Sequence, residues 1–167
     1  AKLQSMLERE PEIEALARKY ASSKGFFFIG RRECVPLTME GALKMKEIAY
    51  LPSEAYAAGE MKHGPIAMLD ENLTVVALVP DTDLREKTLS NVEECRARNA
   101  PIILIATEGD TDARNFANDV IFVPRTEREL FTLAGVIPLQ LLAYHTARTL
   151  GRDIDMPRNL AKSVTVE

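Results

Sequence analysis

Four short apolar runs, each closed off by turn residues, constrain this chain more than any other feature. They are residues 25–30 (GFFFIG), 73–79 (LTVVALV), 102–106 (IILIA) and 120–123 (VIFV). Each is apolar at consecutive positions, as a strand covered on both faces of its sheet requires. Residues 53–56 are expected to add a short extra strand. Helical periods alternate with these runs. Residues 12–22 place Ile13, Leu16, Ala17 and Tyr20 on one face, with Pro11 near the start and Gly25 beyond the end. Helices over residues 37–51 and 84–98 follow, the second with the Asp81-Thr82-Asp83 cluster placed to cap it. A longer helix over about residues 127–150 is apolar almost all round and carries Gly135 and Pro138, so it is expected to be buried and kinked. Strand and helix alternating without a break predict an α/β fold, a three-layer αβα sandwich with a mainly parallel sheet.

The 167 residues suffice for one domain with a sizeable core, expected over residues 1–150, followed by a tail over 151–167. Apolar residues make up 46% and charged ones 28%, a balance that excludes a disordered chain. The net charge of −4 is spread along the chain, and no basic stripe with interleaved aromatics is present, so nucleic acid is not an expected partner. The most apolar stretch, residues 130–143, holds Pro138 and Gln140 and is shorter than the ~20 residues of a membrane span. Residues 1–9 are charged and amphipathic, unlike a signal peptide. Two cysteines, Cys34 and Cys95, are too few for a disulfide scaffold or a four-ligand zinc site and suit a reducing cytoplasm. No G-x-G-x-x-G or Walker loop follows any strand, so no nucleotide cofactor is implied, and no metal.

In parallel sheets ligands sit beyond the carboxyl ends of the strands, which directs attention to the loops after each apolar run. Glu40, Lys44 and Glu47, spaced i, i+4 and i+7, put an ammonium between two carboxylates on one helical face. Such a row is most simply a solvated ion-pair ladder, but it also suits proton abstraction from carbon by a carboxylate. His63 occupies a polar turn punctuated by Gly59, Gly64 and Pro65, a placement that suits a proton carrier near neutral pH. His145 lies in the buried-helix pattern and reads as a satisfied packing residue. Cys95 fits the core face of its helix, whereas Cys34 reads as a loop residue beside Arg31 and Arg32, with nucleophilic catalysis not expected. The tail from residue 157 has no helical period and carries Lys162, an amine able to attack a carbonyl.

Residues 40–47 (EGALKMKE), 58–65 (AGEMKHGP) and 157–167 (PRNLAKSVTVE) together resemble the glucosamine-6-phosphate synthases, the glutamine–fructose-6-phosphate aminotransferases, and residues 138–145 (PLQLLAYH) are a less specific match. The resemblance implies the SIS (sugar isomerase) fold. It also implies a role as the carboxyl-terminal half of an isomerase that converts fructose 6-phosphate and glutamine-derived ammonia to glucosamine 6-phosphate. On that resemblance Lys162 corresponds to the Schiff-base lysine and Glu47 to the carboxylate that moves a proton between C1 and C2. His63 corresponds to the ring-opening histidine, supplied by the neighbouring subunit of a dimer. Lys44 and Ala161 correspond to substrate-contacting positions. The implied partners are a preceding SIS module, a glutaminase domain and a second copy of the chain, with no cofactor.

Two departures accompany the likeness. The family's usual Gly-Arg-Gly loop is here Gly30-Arg31-Arg32, which gives up the second glycine's freedom at positive φ. The family's phosphate-binding Ser/Thr loop belongs to the preceding module, and Ser22-Ser23 here precedes a strand rather than following one. The chain is therefore expected to be one part of a longer enzyme, to fold and self-associate, and not to make glucosamine 6-phosphate alone. Two other readings compete. A non-catalytic SIS module that binds a sugar phosphate for regulation needs none of Glu47, His63 and Lys162. A generic doubly wound signalling domain needs an acidic pocket at the strand ends, where Asp81 and Asp83 read instead as helix caps.

Overall fold

A computed structural model describes residues 2–127 and 130–158. Five parallel strands form one sheet: β1 (Gly25–Gly30), β2 (Ser53–Ala57), β3 (Leu73–Val79), β4 (Ile102–Thr107) and β5 (Asp119–Val123), in the order β2-β1-β3-β4-β5. Five α-helices cover it: α1 (Lys2–Glu8), α2 (Glu10–Tyr20), α3 (Cys34–Lys44), α4 (Arg85–Arg96) and α5 (Phe131–Thr149). The expected three layers are present, and residues 53–57 do form a strand, on one edge of the sheet.

The strands sort their side chains by the two-residue period of an extended chain. Phe26 and Phe28 of β1, with Val76, Leu78, Ile103 and Ile105, point to one face and meet helices α1, α2, α3 and α5. Phe27 and Ile29, with Val75, Ala77, Ile102 and Leu104, point to the other and meet α4 and the short 3-10 turns. Both layers are buried, which is why the runs are apolar at every position. Gly41 of α3 lies so close to the Phe28 ring that an added Cβ would stand 2.9 Å from Cδ1. At the far edge, Arg9 donates to the Phe122 carbonyl of β5 at 2.7 Å and so covers an edge acceptor that would otherwise invite pairing with another chain.

Several expectations are corrected. Asp81 and Asp83 do not cap α4: their carboxylates turn outward to Arg125 and Arg32, and the Thr82 hydroxyl accepts from the Leu84 N–H at 3.3 Å instead. Cys34 is not a loop residue but the first residue of α3, fully buried. The single helix expected over residues 37–51 starts earlier and changes type, because Met45–Ala49 is a π-helix. His145 is buried and meets Glu10 through Nε2 at 3.0 Å, yet its Nδ1 has no hydrogen-bond partner among the described residues, so there it is only half satisfied.

A two-bond ion pair supports the β4 exit. Arg85 grips Asp110 with two bonds, Nε to Oδ2 at 2.7 Å and Nη2 to Oδ1 at 2.6 Å, and the Asp110 side chain is only 7% exposed. The Arg85 bond holds the Asp110 carboxyl below its ordinary value of 3.8, and burial opposes this only in part. A group whose folded-state pKa is depressed stabilises the fold above its unfolded pKa and loses that contribution as the pH falls. Asp110→Asn is therefore expected to cost about 3 kcal/mol at pH 7, as for a buried pair that loses one partner. The difference from wild type should shrink once the pH falls below about 4. Urea unfolding of both proteins at pH 7 and at successive steps below about pH 4 reads this out, and a gap that stays constant with pH would contradict it.

Candidate functional site

Helix α3 leaves the carboxyl end of β1 and runs back over the first face of the sheet, so its π-helical extension lies toward the amino end of β2. Lys44 and Glu47 are therefore placed at the opposite end of the sheet from the loops that the strand-end rule selects. Their side chains meet, with Lys44 Nζ donating to Glu47 Oε2 at 2.6 Å, and both are about one-third exposed or less. The Glu47 hydrogen bond, partly opposed by desolvation, holds the Lys44 ammonium above its ordinary value. Glu47 keeps its second oxygen, Oε1, without a hydrogen-bond partner among the described residues, so one lone-pair face is open to a substrate proton. Glu40 turns away to Gln140 at 3.4 Å and acts on Lys44 only at longer range, so the expected three-member ladder is a pair with a distant third charge.

A π-turn widens the helix by one residue per bonded ring and shifts the side chains it carries, and such turns recur at functional sites. Here the turn ends at Tyr50, which stands at φ 59°, ψ 31° in the left-handed region. For a residue with a Cβ that conformation costs roughly 1–2 kcal/mol. Contacts to the start of the tail offset it. The guanidiniums of Arg152 and Arg158 lie 5.5 and 4.5 Å from the Tyr50 ring centroid, and the Arg158 N–H donates to the Tyr50 hydroxyl at 2.7 Å. Each exposed cation–π contact contributes about 0.5–1 kcal/mol. Arg158 thereby pins the tail to a residue three positions from Glu47 in the sequence. Nothing in the sequence marked Tyr50 for this, since its role rests on contacts to a segment 108 positions away.

Ala161 and Lys162 lie outside the described residues. Lys162 follows Arg158 by four positions, a span of at most about 14 Å for an extended chain.

His63 ends a 3-10 helix, Ala58–His63, that follows β2 at the carboxyl end of the sheet. Its side chain is 72% exposed, and Nδ1 lies 2.8 Å from Glu60 Oε2. The 3-10 helix seats Ala58 and Met61 in the core layer of α4, on the face of the sheet opposite α3 and the π-helix. The structure thus brings Lys44 to Glu47 and the tail to Tyr50, but it does not bring His63 to either.

In the loop after β1, Arg32 itself takes φ 48°, in the left-handed region. Its guanidinium reaches Asp83 at 3.5 Å across the carboxyl ends of β1 and β3, where the crossovers diverge to opposite faces. Cys95 is buried beside β3 and β4, and burial pushes its thiol up to about 12, which removes it from nucleophilic chemistry at neutral pH. Among the described residues no group of three or more His, Cys, Asp or Glu could hold a metal ion, and no helix is long and apolar enough to cross a membrane.

A parallel sheet in this order, with crossovers on both faces, defines a doubly wound α/β domain. The SIS domain pattern matches residues 19–150, and the chain belongs to the SIS domain family. Over 165 residues, 99% of its length, it is 54% identical to the glutamine–fructose-6-phosphate aminotransferase (isomerizing) of Thermus thermophilus. Over 168 residues it is 48% identical to the enzyme of the same name from Synechocystis. In both cases it spans only 27% of the relative's length. A solved structure described as the C-terminal domain of glucosamine-fructose-6-phosphate aminotransferase from Francisella tularensis superposes with a TM-score of 0.89 at 38% identity. That match covers 93% of this chain and 44% of the other, so the kinship is with the carboxyl-terminal part of these aminotransferases.

Proposed function

We propose that this chain is the carboxyl-terminal half of the isomerase domain of a glucosamine-6-phosphate synthase, acting on fructose 6-phosphate and ammonia released from glutamine. The observation that carries the reading is the Lys44–Glu47 pair, partly exposed and with one carboxylate oxygen open, in a chain so similar to enzymes of that name. Lys162 would attack C2 of the open ketose and lose water to form a Schiff base, which ammonia then displaces. The resulting imine acidifies the C1–H bond, and Glu47 takes that proton and returns it to C2. Lys44 holds Glu47 in place and balances its charge. No metal is required, because the imine nitrogen accepts the electron pair.

Ring opening is assigned to His63, and the geometry favours its acting on another copy. Within one chain the sheet stands between His63 and Glu47. A two-fold dimer would give each site Glu47 from one subunit and His63 from its partner. The phosphate anchor is expected from the preceding module of the full-length protein, so the isolated chain should fold without making product.

Complementation tests this directly. Full-length Glu47→Gln and His63→Ala proteins are each expected to be inactive, whereas subunit exchange in an equal mixture should restore roughly a quarter of wild-type turnover. Half the dimers are then mixed, and each carries one intact and one doubly defective site. Verified mixed dimers without activity would exclude the shared site. Full activity in either single variant would exclude the role given to that residue.

A further inference from the structure

A chain of hydrogen bonds runs under the turn that carries His63. Arg31, in the loop leaving β1, donates from Nη2 to Asn91 Oδ1 of α4 at 2.7 Å. Asn91 Nδ2 donates to Glu94 Oε2 one turn further along α4 at 3.2 Å. Glu94 Oε1 in turn pairs at 2.7 Å with Lys62, the residue immediately before His63. Asn91 is only 7% exposed, and both of its bonds are partly shielded from water. Burial by itself would raise the Glu94 carboxyl, but the bonds from Lys62 and Asn91 more than offset that and hold it below its ordinary value.

The same turn is fitted to Arg31 at its other end. A Cβ at Gly59 would stand 3.3 Å from Arg31 Nη2, so the 3-10 helix lies directly against the guanidinium. Gly64, at φ 135°, then turns the backbone away directly after His63, in a region that residues with a Cβ rarely enter. The buried Nε of Arg31 has no hydrogen-bond partner among the described residues, so Asn91 is the side chain that orients its guanidinium there. Arg31 Nε and Asn91 are buried polar groups set against a mostly apolar layer, in which α4 also buries Thr88.

We propose that Arg31, Asn91 and Glu94 are positioning residues for His63: they fix the 3-10 turn so that an otherwise exposed imidazole is presented rigidly to the active site of a second copy. The proposal rests on the ring-opening role assigned to His63 above. It predicts that damage to the chain of bonds mimics damage to His63 rather than to Glu47.

Asn91→Ala, which leaves the Arg31 guanidinium without its acceptor, and Glu94→Ala, at the more accessible end, test this in the full-length protein. Each is expected to lower kcat about tenfold, as misplacement of a reacting group does, while the KM for fructose 6-phosphate changes less than about threefold. Mixed dimers with Glu47→Gln should recover activity, and mixed dimers with His63→Ala should not. Glu94→Gln, which can still accept from Lys62, should recover most of the loss. In the 167-residue chain, Glu94→Ala should speed amide exchange at residues 59–64 while α5 stays protected. Wild-type kcat in both alanine variants, alongside an inactive His63→Ala protein, would overturn the proposal and leave the function standing. Recovery with both partners, or with neither, would show a merely structural defect and overturn it too. Full activity in His63→Ala would instead overturn the functional reading, and the exchange measurement would still decide whether the bonds hold the turn.

Discussion

Glutamine in place of Glu47 is expected to lower turnover of the full-length protein by about 10²–10⁴-fold, the range lost when a positioned general base is removed. The substitution isolates basicity from shape. The introduced amide would fill the same volume and could still accept from Lys44 through its oxygen, so the 2.6 Å contact has a replacement and the π-helix keeps its partner. Only the proton-accepting oxygen is lost. The thermal midpoint should therefore move little, and affinity for the sugar phosphate should change by no more than a few-fold. A steady-state assay of glucosamine 6-phosphate formation, paired with ligand binding, separates the two effects. Turnover within about tenfold of wild type would remove Glu47 from the proton transfer, and a large loss of affinity with unchanged turnover would make it a binding residue.

The second large effect concerns the core. Phe28 of β1 is fully buried, at the centre of the layer between the sheet and α3, with Gly41 packed against its ring. Phe28→Ala is expected to cost about 3–5 kcal/mol, from lost burial together with the cavity left behind. The close approach of α3 makes collapse into that cavity difficult, because residue 41 has no side chain to fill it. For a domain of this size each kcal/mol corresponds to roughly 2–4 °C, so the midpoint should fall by about 6–20 °C. That is a large share of the roughly 5–15 kcal/mol typical of whole domains. Met68→Ala, at an exposed site, should change stability by less than about 0.5 kcal/mol and serves as the control. Calorimetry reads both, and a Phe28→Ala midpoint within about 2 °C of wild type would contradict the packing described.

The fold was legible because burial on both faces leaves a mark at every position of a strand. Four of the five strands fall within a residue or two of where their apolar runs place them, and the partly exposed edge strand β2, expected over residues 53–56, spans Ser53–Ala57. Local chemistry at the element ends was less legible. Asp81 and Asp83 look like caps in sequence because aspartate favours helix starts. Arg32 and Arg125, from other loops, compete for the same carboxylates and win them. The π-helix had no signal at all: its residues also suit an ordinary α-helix, and the widened turn is settled by packing against α5 and by Tyr50 at its end.

For the site, the sequence by itself determined which residue types are available: a lysine and a carboxylate one helical turn apart, a histidine between glycines, and a terminal motif that carries a lysine. Helical geometry alone puts Lys44 beside Glu47, so that contact needed no further information. What only the tertiary structure decided is how these pieces lie relative to one another. The parallel sheet, with its crossovers on opposite faces, sends α3 with Glu47 to one side and the turn with His63 to the other. The same packing sets the Arg31–Asn91–Glu94–Lys62 chain beneath that turn and the Tyr50 ring beside Arg158. Contacts such as Arg31 to Asn91 and Tyr50 to Arg158, 60 and 108 positions apart, depend on how the layers close, and no local pattern of residues encodes that closure.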